Sequence, residues 1–579
     1  MKRFFKYIAV AILSSGISSC LDFDPKEQLA DGNLWGKPGD FEAAANLFYE
    51  WTPGFGLAFN DYIHSDQRSD LIIDKSAKNV YSNGTNTVPA SDGDYTNGYK
   101  HIYRCNLLLK HSENYSNPDE IRQSVGEAYF FRAWSYFQLV QKYGDVIIVK
   151  TPIDVNDPAM NAKRDSRSDV VDFIVDDLNR AAEYLKPTSE VAEGRVGSEG
   201  AQAFLSRVAL YEGTWQKFRG NESRGVELCG IAADAARSVI DSRQFELFAP
   251  EALGDSAQKY MFILEDVKCN PAGLTKSSNR EYIFKRCYDQ TLNPNGKNLT
   301  KAILCNAQLV SAKFANMYLC SDGLPIEKSP NFKGYETIKS EWENRDNRMR
   351  YTLCRPGDFF WSNNNPRIDW SGSKEEIAVS QTVSVNPAAI STGLIPNGGT
   401  GYYPQKMATE RQVEDRYESY DWPIIRYAEV LLNYAEAVFE RDGAISDRDL
   451  DISLNLTRQR VNKKMPKLSN SFVTANGLSM REEIRRERTI ELFQEGFRID
   501  DLKRWKTAEV EMPMDFLGIR WIGEWRSKWG NMSLPVNATG NIIYESGRKW
   551  EEKNYLYPLP VDELQLNPNL GQNPGWAGI

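Results

Sequence analysis

Two stretches of the sequence combine aromatic and hydrogen-bonding side chains in a pattern suited to binding a sugar. In the first, Phe359, Phe360 and Trp361 precede an asparagine run that includes Asn363, and Trp370 follows. A sugar ring has an apolar face that stacks on an aromatic plane, and its hydroxyls need amide, carboxylate or guanidinium partners. The pattern therefore predicts a ligand-binding loop. The alternative is that these aromatic side chains anchor the loop in the core.

The second stretch is a long polar segment, residues 52–98, rich in Gly, Asn, Asp and Ser. A loop of this length inside a folded domain is usually functional or disordered. Tyr81 supplies an aromatic plane, and Asp66, Arg68 and Asn83 supply hydrogen-bonding groups. We therefore predict Tyr81, Asp66 and Arg68 as further ligand-binding residues. Core anchoring of Tyr81 is again the alternative.

Local catalytic patterns do not accompany these stretches. The three histidines, His64, His101 and His111, stand outside any H-E-x-x-H or triad-like context. The 79 acidic residues could still place two carboxylates together in space, as a glycosidase requires. We predict a protein without catalytic residues. A surface glycoside hydrolase and a protein-binding helical scaffold are the rival interpretations.

The amino terminus predicts export and lipidation. Lys2, Arg3 and Lys6 form a positive segment, Ile8–Leu13 an apolar one, and small residues lead to Cys20. Residues preceding Cys20 resemble a bacterial lipobox, which predicts a signal peptide over 1–19 and a lipidated tether over 20–40. The alternative is an ordinary signal with a chance cysteine.

Net charge and cysteine count indicate which partners and which kind of fold this protein can have. A net charge of −9 argues against nucleic acid as a partner, because such binding needs a basic face. If Cys20 is lipidated, seven of the eight cysteines remain, and an odd number leaves at least one thiol free. None of them forms a C-x-x-C pair, which a zinc ribbon or a thioredoxin-like site would need. We expect most of them to be small buried residues rather than a disulfide framework.

Periodic apolar residues predict a mainly α fold. Helices are predicted over 41–51, 99–114, 120–143, 168–185, 199–217 with Ser198 as N-cap, 224–242, 422–441, 447–462 and 479–505. Small residues at close-packing positions indicate a degenerate tetratricopeptide-like scaffold of helix hairpins. The predicted regions are N-terminal helices over 41–245, an irregular mixed insertion on the ligand side over 246–421, and C-terminal helices with a strap over 422–579.

The strap is the last part of the chain, residues 555–576. Its prolines and glycines forbid a long helix, whereas Tyr555, Tyr557 and Trp576 are too apolar for a disordered tail. We therefore predict an ordered, irregular segment that lies on a preformed surface.

Several motifs resemble the SusD/RagB family of nutrient-binding outer-membrane lipoproteins of Bacteroidota. They are the strap itself, "GEAYFFRA" at 126–133, "YGDV" at 143–146, "NRD" at 344–346, "IRYAEVLLNYAEA" at 425–437 and the Glu/Arg pattern over 487–505. Ile147 stands where the family usually has proline. The arginines and glutamates of the last two motifs are interpreted as ion pairs that lock helix hairpins together, not as catalysts.

The resemblance implies binding of glycan without turnover, and a complex with a SusC-like TonB-dependent transporter in the outer membrane. It also implies that the helical scaffold faces the transporter and the insertion loops face the ligand. A peptide or other nutrient is the alternative ligand. Neither a cofactor nor a metal is predicted, although the resemblance leaves a bound calcium ion open.

Overall fold

The structure, a computed structural model, describes residues 35–56, 65–74, 79–154, 157–297, 299–304, 308–356, 358, 370–372, 399–410, 416–531, 533 and 535–576. The longer helices are α1 (Pro38–Asn46), α2 (Gly93–Ser112), α3 (Arg122–Tyr143), α4 (Arg167–Tyr184), α5 (Ser198–Lys217), α6 (Glu222–Ser242), α7 (Tyr427–Asp442), α8 (Met480–Glu491) and α9 (Arg498–Arg504). Shorter helices are Val80–Asn83, Ala257–Met261, Leu299–Leu304, Ala312–Met317, Asn347–Thr352, Asp447–Asp451, Leu454–Gln459, Asn470–Ala475, Ala508–Glu511, Gly523–Trp529 and Val561–Leu566.

Short antiparallel strand pairs tie distant segments together. The strands are β1 (Ile72–Asp74), β2 (Tyr282–Arg286), β3 (Gln308–Val310), β4 (Trp422–Arg426), β5 (Phe516–Arg520) and β6 (Asn541–Glu545). The pairs are β1 with β3, β2 with β4, and β5 with β6. The prediction of a mainly α fold with a mixed insertion is confirmed.

Consecutive helices form an array of hairpins. α2 packs on α3, α3 on α4, α4 on α5, and α5 on α6. α7 then packs on α5, α6 and α8, so the chain returns to its N-terminal helices after the insertion. Two glycines allow the close approach of α5 and α6, because a Cβ on Gly213 or Gly225 would lie 3.1 or 2.9 Å from the other glycine's carbonyl oxygen.

Two predicted helices begin elsewhere because of their caps. α2 starts six residues before the predicted start at Tyr99, since the Asp92 carboxylate accepts a hydrogen bond from the Asp94 amide. Ser198 is the first residue of α5 and its side chain caps nothing; Gly197 occupies the N-cap position. The prediction of Ser198 as N-cap was therefore wrong by one position.

The helix predicted over 422–441 is a strand followed by a helix. Residues 422–426 form β4, whose Ile425 faces Phe284 and whose Pro423 faces Lys285 of β2. Helical periodicity over so short an apolar run does not distinguish a helix from a strand. Pairing with β2, 136 positions or more earlier in the chain, decides the conformation, and this partner is invisible to local pattern.

The helix predicted over 479–505 is broken between α8 and α9. Gln494 and Gly496 have φ of 60° and 86°, in the left-handed region, and this ends the helical path. The turn is held by Asp66, whose carboxylate oxygens accept from the backbone amides of Gln494 (2.7 Å) and Arg498 (3.3 Å). The helix predicted over 447–462 also divides, at Ser453.

The strap is ordered, as predicted, and lies across α3 and the segment that precedes α2. The Tyr557 amide donates to the Lys142 carbonyl (2.6 Å), and the amides of Val561 and Asp562 donate to the carbonyls of Pro89 and Ala90. The strap contains the helix Val561–Leu566 between the 3-10 turns Glu552–Tyr555 and Pro568–Leu570. Backbone hydrogen bonds therefore fasten the first part of the strap, and the Asn573 side-chain amide, which donates to the Tyr143 carbonyl at 3.0 Å, fastens the last part.

The described cysteines agree with the expectation of small buried residues. The described thiols at positions 105, 229, 269, 287, 320 and 354 are unbridged, and all but Cys287 are buried. Among the described helices, none is both long and apolar enough to cross a membrane.

Candidate ligand-binding clefts

Tyr557 of the strap is the point where two predicted ligand-binding residues meet. The Tyr81 ring stacks on the Tyr557 ring, with centroids 4.8 Å apart and planes inclined by 17°. Arg68 donates from Nη1 to the Tyr557 hydroxyl at 3.2 Å. The ammonium groups of Lys142 and Lys503 lie 5.2 and 4.6 Å from the centre of the same ring. One strap residue thus joins the 65–83 segment to α3 and α9.

A cleft lies on each side of this tyrosine. The outer cleft has a volume of about 340 Å³ and lies between the strap and residues 80–92. Its walls are the aromatic side chains Tyr81, Tyr557 and Trp576, with Asn86 and Asp92 among the polar side chains. Aromatic faces beside amide and carboxylate groups are the combination that a sugar ring requires.

Local structure fixes the walls of the outer cleft. Tyr81 is in the helical turn Val80–Asn83, whose N-cap Asn79 accepts from the Tyr81 amide at 3.0 Å. Trp576 is oriented by its indole N–H, which donates to the carbonyls of Lys553 (3.1 Å) and Leu556 (3.0 Å). Held in this way, the rings lose little conformational entropy when a ligand binds.

The inner cleft has a volume of about 300 Å³ and lies between α2, α3 and the turn before α9. It is lined by charged side chains, Arg68, Lys142, Asp94 and Asp500, and by Asn97, which is exposed at its mouth. Lys142 pairs with Asp94. Lys503 lies behind this cleft on α9, buried against Tyr557.

The charges of the inner cleft perturb one another. Burial lowers the pKa of Lys503 to about 7, since attraction by Asp500 is offset by repulsion from Arg68 and Lys142. Burial likewise lowers the pKa of Lys142 to about 8. The pKa of Asp500 is raised by burial in spite of the cations near it. Strongly perturbed groups that meet in a cleft are typical of binding sites.

The structure places the other predicted residues as follows. Asp66 is fully buried and holds the turn before α9, and burial raises its pKa to about 6. Trp370 is half-buried; its indole N–H donates to Glu410 at 3.3 Å and its ring meets Tyr260 edge-on. Phe359, Phe360, Trp361, Asn363 and the lipidation residue Cys20 lie outside the described residues. Of the predicted set, Arg68 and Tyr81 come together.

Sequence reasoning did not assign Tyr557, Asp500 and Lys503 to a site. Tyr557 was recognised as part of the strap, and its aromatic ring among prolines was the available signal. Asp500 and Lys503 belong to a motif interpreted as structural. Their neighbours Arg498 and Asp501 do form ion pairs, with Asp70 and Arg488. Asp500 and Lys503 lie on one side of α9, toward the cleft, whereas Arg498 and Asp501 lie on the other side and form ion pairs.

The predicted ion pairs between helices form a buried network around Arg426. The guanidinium of Arg426 lies 2.7–2.8 Å from carboxylate oxygens of Glu281, Glu491 and Glu495. Arg460 joins the same network through Glu281 and Glu491. We call this set, with Arg348, Lys406, Asp346 and Glu487, the ion-pair network.

One cluster of acidic and thiol side chains has the spacing of a metal site, and the charges around it indicate whether it suits a metal ion. Glu193, Cys287 and Asp421 bring ligand-type atoms together among the described residues. Lys285 pairs with both carboxylates, and Lys276 pairs with Asp421 at 2.7 Å. Lysines therefore neutralise the cluster, and a thiol does not suit calcium, which takes oxygen ligands.

Comparison with known families agrees with the strap and helix motifs. A family model described as "SusD family" matches residues 275–576, and one described as "Starch-binding associating with outer membrane" matches residues 59–210. A SusD-like protein of Bacteroides ovatus is 23% identical over 610 residues, covering 98% of this chain and 97% of that protein. SusD-like protein P2 of Formosa agariphila is 24% identical over 468 residues, covering 79% of this chain and 76% of that protein.

Solved structures share the fold over nearly the whole chain. A SusD-like carbohydrate-binding protein from Bacteroides fragilis has a TM-score of 0.70 at 22% identity, and covers 93% of this chain and 99% of its own. Surface glycan-binding protein A from Bacteroides fluxus has a TM-score of 0.59 at 19% identity, covering 93% and 100%. At these identities the likeness is one of fold.

Proposed function

The chain belongs to the SusD family, and from that premise we propose that it is a lipid-anchored protein of the cell surface that binds glycan. In this proposal Cys20 carries the lipid, and the protein delivers oligosaccharide to a SusC-like TonB-dependent transporter in the outer membrane. The family supports carbohydrate binding and an association with the outer membrane.

The outer cleft is the observation that carries glycan binding. Three aromatic side chains, Tyr81, Tyr557 and Trp576, line a space of about 340 Å³ together with Asn86 and Asp92. The Asn86 side-chain N–H₂ is buried and has no hydrogen-bond partner among the described residues. A buried amide without a partner is unfavourable, so a shift of the Asn86 side chain toward a ligand hydroxyl in the cleft would satisfy a donor that the described residues leave unpaired.

The proposed ligand-binding residues are Tyr81 and Arg68, with Trp370 and the aromatic run Phe359–Phe360–Trp361 and Asn363 as a second element. Asp66 contributes by holding the turn before α9, beside the inner cleft. Since Tyr81 is stacked on Tyr557, it offers a ligand a pre-positioned ring rather than a freely rotating one.

Binding without turnover is the proposed activity. Relatives are described as carbohydrate-binding and glycan-binding proteins. A protein that hands its ligand to a transporter must also release it, so we expect modest affinity. A Kd of about 1 mM corresponds to about −4 kcal/mol, which a few stacking and hydrogen-bonding contacts can supply.

Affinity electrophoresis tests the proposal directly. The purified full chain, in mild detergent, is run in gels that contain one polysaccharide each, neutral or acidic, and each polysaccharide is afterwards analysed for shortened products. Tyr81→Ala and Trp361→Ala test the two elements. Tyr103→Ala is the matched control, because Tyr103 is 42% exposed on α2 and lies outside both clefts.

The outcomes separate the alternatives. Retardation without shortened products, reduced by Tyr81→Ala and unchanged by Tyr103→Ala, supports glycan binding at the outer cleft. Shortened products overturn the claim that the protein does not turn over its ligand. Indifference to every polysaccharide overturns the glycan assignment in favour of another nutrient.

A further inference from the structure

The inner cleft is lined by Arg68, Lys142, Asp94 and Asp500, and the arginine has no ion-pair partner among the described residues. Lys142 is paired with Asp94. Arg68 and Lys503 have no carboxylate oxygen within the 4.0 Å of an ion pair among the described residues. Asp500 is the nearby acid, and it too lies beyond that distance from every described cation. Arg68 and Lys503 therefore interact with Asp500 only at a distance, and Arg68 also interacts at a distance with the buried Asp66.

The arginine has donors to spare. Its Nε donates to the Ser65 carbonyl at 3.2 Å, and its Nη1 donates to the Tyr557 hydroxyl at 3.2 Å. A guanidinium carries five N–H groups, so the two N–H groups of Nη2 have no acceptor among the described residues. Arg68 lines the inner cleft, and this side of its planar group is available to a ligand.

A buried cation without an anionic partner is unfavourable. Lys503 is 3% exposed, and its contact with the Tyr557 ring replaces only part of the hydration that a lysine loses on burial. In the ion-pair network, by contrast, every buried cation touches a carboxylate. An incoming anion would supply the missing partner in the cleft.

We propose that the inner cleft binds the anionic group of an acidic sugar, a carboxylate or a sulfate ester, and that Arg68 is its principal ligand. The proposal deepens the glycan-binding function above and rests on it. A guanidinium fork matches the two oxygens of a carboxylate or sulfate, whereas a lysine acts as a point charge. Lys142 and Lys503 add attraction, and the carboxylates of Asp94 and Asp500 accept from sugar hydroxyls.

Replacing Asp500 should change the affinity for an acidic glycan in the opposite direction to replacing Arg68. Its carboxylate lines the same cleft and repels an anion there. Removing that charge in Asp500→Asn should tighten binding of an acidic glycan, while removing the arginine charge in Arg68→Met should weaken it. A fold defect would weaken binding in both variants, so opposite changes cannot come from misfolding.

The experiment uses pairs of polysaccharides that share a backbone and differ in whether it carries anionic groups. The purified full chain in mild detergent is run by affinity electrophoresis in polygalacturonate and in its methyl-esterified form, and in dextran sulfate and dextran. The variants are Arg68→Met, Arg68→Lys and Asp500→Asn. Arg280→Met is the matched control, since Arg280 is 53% exposed and lies outside the cleft.

We expect the charged member of at least one pair to retard the protein more than its neutral member. Arg68→Met should weaken that apparent affinity about tenfold, the loss of one charge-assisted hydrogen-bonded contact, and Arg68→Lys less than that. Asp500→Asn should strengthen it, and Arg280→Met should leave it unchanged. Preference for polygalacturonate identifies the carboxylate form, and preference for dextran sulfate identifies the sulfate form.

Two results overturn the inference. One is equal retardation by both members of each pair, in which case glycan binding stands and the anionic preference fails. The other is a charge preference that Arg68→Met and Arg280→Met reduce equally, because the attraction would then be diffuse. Absence of retardation by every polysaccharide overturns the inference together with the proposed function.

Discussion

The ion-pair network and the inner cleft are both buried clusters of charge, but they are built differently. In the network, Arg348, Arg426 and Arg460 each contact carboxylates at 2.5–3.1 Å. In the inner cleft, Arg68 and Lys503 contact a tyrosine instead. Complete pairing fixes one arrangement of segments, whereas incomplete pairing leaves room for a ligand. From this comparison we expect the network to contribute stability and the cleft to bind a ligand.

The same contrast appears in the proton equilibria. Burial would raise the pKa of Glu491, but Arg460, Arg426 and Arg348 outweigh burial and lower it. For Lys503 burial prevails, and its pKa falls to about 7. A group with its partners in place keeps its charge, and a group without them is pushed toward the neutral form.

Breaking the network should have the largest effect. Arg426→Met removes the cation that contacts Glu281, Glu491 and Glu495, and leaves their buried carboxylates short of a partner. We expect the free energy of unfolding to fall by about 3–5 kcal/mol, measured by urea denaturation. A loss below about 1 kcal/mol would contradict the structural role of the network.

Two buried acids should give pH dependences of opposite sign. For Glu436, burial is outweighed by Arg504, and the pKa falls to about 2. Its folded-state pKa is depressed, so its stabilisation is present above the unfolded value and is lost as pH falls toward 2. The full contribution is about 3 kcal/mol, and Glu436→Gln should flatten unfolding free energy against pH in this range.

For Asp66, burial raises the pKa to about 6. The folded state then binds a proton more tightly than the unfolded state, so stability falls as pH rises from about 4 to about 6, by about 3 kcal/mol. Asp66→Asn should remove this fall. Unfolding of the parent chain and both variants is measured at about pH 2.5, 4 and 7; the interval from 2.5 to 4 checks the sign for Glu436, the interval from 4 to 7 checks it for Asp66, and slopes of the same sign would refute the assignment.

A smaller effect is expected at the tyrosine between the two clefts. Tyr557→Phe keeps the ring that stacks on Tyr81 but removes the hydroxyl that accepts from Arg68. We expect a loss of about 1 kcal/mol in unfolding free energy, the usual value of one hydrogen bond. If the loss exceeded about 3 kcal/mol, Tyr557 would belong with the network rather than with a binding site.

The smallest effect on stability is expected from breaking an ion pair at the surface. Arg441 pairs with Asp442 at 2.7 Å, but its side chain is 34% exposed. Arg441→Met should change the free energy of unfolding by less than about 0.5 kcal/mol. The same substitution at positions 426 and 441 therefore measures what burial adds to an ion pair.

Sequence alone was sufficient for the parts of the fold that depend on local pattern. α3 and α4 were predicted to within two residues at each end, because long apolar periods mark both helices and Gly144 marks the end of α3. β4 was missed because its conformation is set by β2, far away in the chain. The break before α9 was missed because a buried carboxylate, Asp66, stabilises the left-handed turn.

Local sequence also predicted one part of the candidate site and missed another. Tyr81 and Arg68 could be predicted because an aromatic ring and polar side chains occur together in one loop. Their meeting at Tyr557 could not, because the strap follows them by more than 450 positions. Which side of α9 carries paired charges and which carries unpaired ones is likewise a matter of tertiary packing.

Hydrogen–deuterium exchange with polygalacturonate and with dextran sulfate tests the central claim most directly. The full chain is exchanged with and without each polysaccharide, and the methyl-esterified form and dextran are the uncharged controls. The account predicts that at least one of the two acidic polysaccharides protects the amides of residues 65–70, 79–94 and 555–576, and leaves the buried helices α7 and α8 unchanged. Protection confined to segments outside the two clefts, or no protection by either acidic polysaccharide, would contradict it.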